Sequence, residues 1–132
     1  MYTPDRQPLP GTPATSKITQ RSNNRLGAVY SSLHAFWVSR HAALNATGSQ
    51  AAVARRDAYS VILFDHHMTT CVQNDFISSP DQLLDLVLPY EARGGTDYTS
   101  ALTITQRIME DNWSTERWGY LKLYDFQADP DF

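Results

Sequence analysis

From Asn24 onward, apolar residues recur at spacings of three and four. Leu26, Val29, Tyr30, Leu33, Phe36 and Trp37 form one stripe, and Leu44 falls on the same face two turns later. This period predicts an amphipathic helix running to about Leu44, capped by Asn23 or Asn24, with its stripe turned to a core. The pattern then breaks, and Ala46 to Arg56 reads as a loop around Gly48. Tyr59-Ser60-Val61-Ile62-Leu63-Phe64 is a short apolar run rich in β-branched and aromatic residues. It predicts a strand buried on both faces, as in a parallel-type α/β sheet. Thr69-Thr70-Cys71-Val72 predicts a second strand hairpinned onto the first. Ser79-Pro80-Asp81 opens a helix, since proline is favoured in a first turn; Leu83, Leu84, Val87 and Leu88 give its apolar face and Pro89 ends it. Gly94-Gly95-Thr96-Asp97 is the sharpest turn signal, because paired glycines permit backbone angles closed to other residues. Thr96 or Asp97 then caps a helix carrying Ala101, Leu102, Ile104, Ile108 and Met109 and ending near Asn112. Beyond it, Tyr120 to Phe126 alternates weakly, as a candidate strand.

The polar segments set the boundaries. Residues 1–23 are rich in Pro, Thr, Ser, Gln and Asn, and Pro4, Pro8, Pro10 and Pro13 resist helix, so this stretch reads as a flexible arm. The 132 residues fit one domain, and 42 % hydrophobic against 19 % charged residues supports one modest core. Net charge is −3 with no long run of one sign, and Arg55-Arg56 is too short a basic step to argue for nucleic acid. No stretch approaches the roughly 20 apolar residues of a membrane span. The single cysteine, Cys71, excludes an internal disulfide, and Met1 to Arg6 lacks the apolar character of a secretion signal. The expectation is an intracellular protein with neither nucleic-acid nor membrane partners. The sequons at Asn45 and Asn112 then read as chance.

Several stretches, taken in order, resemble a von Willebrand factor A-type domain of the kind found in large fungal and protist proteins. They are Asn24 to Val29, Arg56 to Asp65, Asn74-Asp75-Phe76, Leu88-Pro89-Tyr90, Gly94 to Leu102 and Trp113 to Arg117. The likeness spans residues 24–117, leaving 118–132 as a divergent tail. The resemblance implies a doubly wound, Rossmann-like α/β sheet with its ligand site at the carboxyl ends of the strands. It implies a protein-binding or scaffold module rather than an enzyme. In the family a Mg²⁺ or similar ion is held by an Asp-x-Ser-x-Ser loop, a Thr from a second loop and an Asp from a third, in the octahedral oxygen geometry such an ion prefers. Thr96 matches the second-loop Thr, and Asp125 stands near the place of the third-loop Asp.

The sequence also departs from that pattern. Before the first helix, Thr15 to Asn23 contains no Asp followed by two serines at the required spacing, and the apolar strand that should carry that loop is missing. Phe126 replaces the glycine expected after Asp125. The resemblance therefore implies an incomplete sheet and a degenerate metal-ion-dependent adhesion site, with Thr96 and Asp125 as its candidate Mg²⁺ ligands. One alternative is a truncated fragment without autonomous function, which a shifted reading frame would produce.

A second alternative is chemical. Phe64-Asp65-His66-His67 resembles the strand-end metal motif of the DHH phosphoesterases, in which carboxylate and imidazole ligands suit Mn²⁺ and an activated water. That family needs further Asp motifs on earlier strands, and only Asp57, at the start of the same strand, is at hand. Cys71 with His66 or His67 falls short of the four ligands of a structural zinc site. His34 and His41 default to packed or surface roles on the first helix.

Overall fold

A computed structural model describes residues 3–46, 57–91 and 94–113. These form four helices and one antiparallel strand pair: α1 (Thr15–Arg21), α2 (Arg25–Ala46), β1 (Tyr59–Phe64), β2 (Met68–Asp75), α3 (Pro80–Val87) and α4 (Tyr98–Trp113). The mixed helix-and-strand class expected from the sequence holds at that level. The parallel pairing of a doubly wound sheet does not appear among the described residues, where β1 and β2 pair antiparallel.

Within the stretch 1–23, read from the sequence as a flexible arm, the chain forms α1. The prolines stop at Pro13, and the seven residues that follow Ala14 contain neither Pro nor Gly, so a short helix is permitted. Its one strongly apolar residue, Ile18, is fully buried. The preceding chain is strapped to α2 as well. On α2, Ser31 Oγ accepts a hydrogen bond from the Leu9 N–H at 3.1 Å and Arg25 pairs through Nε and Nη2 with Asp5; on α1, the Thr15 hydroxyl donates to the Leu9 carbonyl at 2.6 Å. Gly27 permits this approach, since a Cβ there would stand 1.7 Å from the Ser22 carbonyl oxygen and 2.9 Å from Pro8 Cγ.

In α2 the buried stripe is rotated from the predicted one. Leu26, Tyr30 and Trp37 point inward as expected, but Gly27, Ser31 and His34 join them, while Val29 and Phe36 are exposed. The rotation brings polar side chains inward, and each finds a partner, as burial demands. Ser31 holds the arm, His34 Nε2 bonds to Asp81 Oδ1 at 2.9 Å, and the Tyr30 hydroxyl donates to the Tyr90 carbonyl at 3.0 Å. Burial pushes the Tyr30 phenol well above its ordinary pKa.

The hairpin forms as predicted, with Phe64 opposite Met68, Leu63 opposite Thr69 and Val61 opposite Val72. The full burial expected of β1 does not follow, for all six of its side chains keep some exposure. The physical reason is that the described sheet stops at two strands, which leaves β1 on an edge. Helix α3 meets every expectation. Ser79 and Gln82 make a reciprocal capping box, Pro80 opens the first turn, and Leu83, Leu84, Val87 and Leu88 are buried. The core cluster joins Ile18, Leu26, Tyr30, Trp37, Val72 and these four, with Tyr59, Val61 and Leu63 packed against it. Those alternate residues of β1 share the side that packs on this cluster, where Tyr59 meets Trp37 of α2 ring to ring. Phe64, of the opposite parity, meets α4, which packs against both strands and buries Ala101 and Ile108. Among the described residues, no helix is long and apolar enough to cross a membrane.

Candidate functional site at the carboxyl end of the first strand

Two of the motifs singled out in the sequence meet where β1 ends. Asp65, His66 and His67 make the hairpin turn, and Asp65 Oδ1 accepts the His67 N–H at 2.6 Å. The loop Gly94–Asp97 docks on this turn, with the Asp97 N–H donating to the Asp65 carbonyl at 2.9 Å. Of the two glycines only Gly95 is required. Its φ is +95°, and a Cβ there would fall 2.3–2.5 Å from ring atoms of His66. The imidazole thus occupies the space that a side chain on Gly95 would take. Nothing lies within 4 Å of the corresponding position at Gly94.

Between the two candidate caps, the structure selects Asp97. Its Oδ1 accepts the Ser100 N–H at 3.0 Å, its Oδ2 accepts the Ser100 hydroxyl at 2.7 Å, and its carbonyl accepts the Ala101 N–H at 3.2 Å. The Ser100 N–H and hydroxyl hold the Asp97 carboxyl below the usual carboxylate range, with a smaller contribution from His66. Thr96 stands one residue earlier and is exposed. Asp125, the other candidate ligand, lies outside the described residues.

The described donors do not by themselves compose the Mg²⁺ site that the resemblance implies. No group of three His, Cys, Asp or Glu side chains among them is placed to hold a metal ion. The carboxylate nearest Thr96 in sequence, Asp97, has both oxygens engaged by Ser100, and Asp65 uses one oxygen to close its own turn. Asp57, the other carboxylate considered for a phosphoesterase, is also committed. It receives Arg40 Nε at 2.7 Å, Arg40 Nη2 at 3.1 Å and the Tyr59 hydroxyl at 3.2 Å. Arg40 holds the Asp57 carboxyl below its ordinary pKa.

Apolar surface surrounds this end instead. The Phe64 and Tyr98 rings lie 5.4 Å apart at 59°, and Leu102 follows Tyr98 by one helical turn. Phe64 is 39 % exposed, Tyr98 68 % and Leu102 59 %. The sequence placed Tyr98 and Leu102 within the helix but not on a shared surface with Phe64. Neither side of that contact shows a signal in its own local pattern.

A separate cleft of about 380 Å³ lies between the end of α2, the start of β1 and the start of α3, with Trp37, His41, Tyr59, Asp75, Ile77 and Pro80 among its walls. Asp75 turns inward on its own loop, accepting from the Ile77 and Ser78 N–H groups and from the Ser78 hydroxyl. Cys71 is half-buried, which pushes its thiol up and away from the reactive thiolate. Comparison with known proteins finds no match for this chain, whether among family models, curated proteins or solved structures.

Proposed function

We propose that the chain is a non-catalytic protein-binding module, resembling part of a von Willebrand factor A-type domain, which recognises its partner by apolar contact rather than through an ion. The observation that carries this reading is the Phe64–Tyr98–Leu102 surface beside Thr96. Aromatic anchors with exposed faces are the side chains that dominate protein interfaces. Arg40 neutralises Asp57 through a two-point ion pair, which takes up the one further carboxylate the phosphoesterase reading had at hand and supports binding over metal-dependent hydrolysis. The resemblance puts the family's recognition site at the same end of the strands, and a degenerate version of it keeps the place without the chemistry.

The test is site-specific photocrosslinking in cells. A photoreactive residue at Leu102 should give one discrete adduct, lost when Phe64→Asp is added, while the same residue at exposed Gln20 on α1 gives none. Equal labelling from both positions, or an adduct indifferent to Phe64→Asp, would overturn the proposal. A fragment without a function of its own is the second reading, favoured by the incomplete burial of β1. It predicts a chain that lacks cooperative unfolding when followed by circular dichroism.

A further inference from the structure

The ladder between β1 and β2 is regular beside the hairpin turn and breaks toward its far end. An unbroken register from the Val61–Val72 pair would set Tyr59 opposite Asn74, but Tyr59 stands opposite Asp75. Strand β2 therefore carries a bulge, where Asn74 takes a left-handed φ of +49° and its N–H donates to Ser60 Oγ at 2.9 Å. Opposite residues of an antiparallel pair share a face, so the bulge carries Asp75 to the Tyr59 side of the sheet. That side opens into the cleft of about 380 Å³, which Tyr59 and Asp75 both line.

The charges of this cleft are one-sided. Asp57 and Asp75 line it, and among the described residues no lysine or arginine does. Arg40 neutralises Asp57 through a two-point ion pair. Asp75 has no cation of its own among the described residues. It accepts only neutral donors, the Ile77 and Ser78 N–H groups and the Ser78 hydroxyl. Burial pushes the Asp75 carboxyl up, but these donors outweigh it and hold the group below the usual carboxylate range, so it is charged at neutral pH. A carboxylate offers about four acceptor sites, and these donors leave one open, on Oδ2. The charge thus faces a cleft walled by Trp37, Tyr59, Leu44 and Pro80. Phe76 and Ile77 stand at its rim, 50 % and 79 % exposed, on the loop that the Asp75 carboxylate shapes.

We infer that this cleft binds an organic ammonium ion carried on an apolar body, the ammonium on Asp75 and the body against Tyr59 and Phe76. Aromatic faces attract such a cation, and the aliphatic walls accept its body. The volume is near the small end of ligand clefts, about 300–1,000 Å³, which suits one small amine or one lysine side chain. The cleft lies at the start of β1 and the Phe64–Tyr98 surface at its end, so the inference stands apart from the protein-binding proposal.

The experiment is an amide NMR titration of the full chain with phenethylamine, beside its neutral counterpart phenethyl alcohol and beside N-acetyl-lysine methylamide. The amine should shift the Tyr59, Asp75 and Ile77 amides saturably, and the alcohol should bind at least about tenfold more weakly. Asp75→Asn should weaken the amine by at least about tenfold, and Phe76→Ala by about threefold, as an exposed cation–π contact implies. Phe76 is half exposed, so its variant keeps the fold whatever becomes of the loop in Asp75→Asn. Tighter binding of phenethylamine identifies a free amine as the occupant, and tighter binding of the lysine derivative identifies a lysine of another chain; either supports an ammonium site. Equal affinity for amine and alcohol, or no saturation by about 10 mM amine, would overturn the inference. So would saturable shifts centred on Phe64 and Tyr98 instead of the cleft.

Discussion

On one face of the hairpin, Val72 shares a cluster with Tyr30, Leu83 and Leu84, and none of those three is more than 1 % exposed. On the other, Phe64 meets Tyr98 in a ring contact that leaves both rings open to solvent. The two faces also use their polar groups differently. Beneath the buried face, polar groups join elements distant in sequence: Tyr30 to Tyr90, His34 to Asp81, Ser31 to Leu9. At the open face, polar groups mostly shape the loops beside them, as Asp65 closes its turn and Asp97 caps α4. The first face is committed to folding, and the second presents apolar surface on a rigidly capped frame.

The largest expected effect tests that division directly. Leu84→Ala should cost about 2–5 kcal/mol, because it empties a fully buried site. Leu102→Ala, on the open face, should stay within about 0.5 kcal/mol. Urea denaturation of both variants measures the contrast, and equal losses would erase it. Next comes the junction of the two loops. Gly95→Ala should cost roughly 1–3 kcal/mol from its positive φ and its collision with His66. Adding His66→Ala should recover the part due to collision and leave the backbone part, which a double-mutant cycle separates. Ser79→Ala should cost about 1 kcal/mol by removing the cap of α3, read from the shift in the urea midpoint.

The smallest effect concerns acid. The Asp57 carboxyl is held low by Arg40, so its contribution to stability is present above its unfolded value near 3.8 and is lost as pH falls through the lower folded value. The pair is partly exposed and screened, so the effect is modest. Melting temperatures taken downward from about pH 5 should fall more steeply below about pH 4 in wild type than in Arg40→Gln. Parallel curves would show that the pair contributes nothing.

Local chemistry made much of the fold legible. Ser79, Pro80 and Asp81 announce α3, and the Gly-Gly turn announces α4 because φ at Gly95 is closed to most side chains. The hairpin followed from β-branched runs separated by a short polar turn. Helix α1 was hidden, because one isoleucine among polar residues carries no period and its burial depends on contacts with α2 and α3. The rotation of α2 was hidden for a related reason, since the partners of Ser31 and His34 lie 22 and 47 residues away. At the site, Thr96 and the Asp65-His66-His67 turn suggested two different families. Their meeting on one surface is a tertiary fact, carried by the Asp97 N–H on the Asp65 carbonyl.

We propose that recognition at this end of β1 runs through apolar contact and not through an ion at Thr96. Calorimetric titration of the purified full chain with Mg²⁺ and Mn²⁺, wild type beside Thr96→Ala, tests it most directly. The expected result is no saturable heat that Thr96→Ala removes. A saturable binding isotherm on the folded wild-type chain, abolished by Thr96→Ala, would contradict it and restore a working metal-ion-dependent adhesion site.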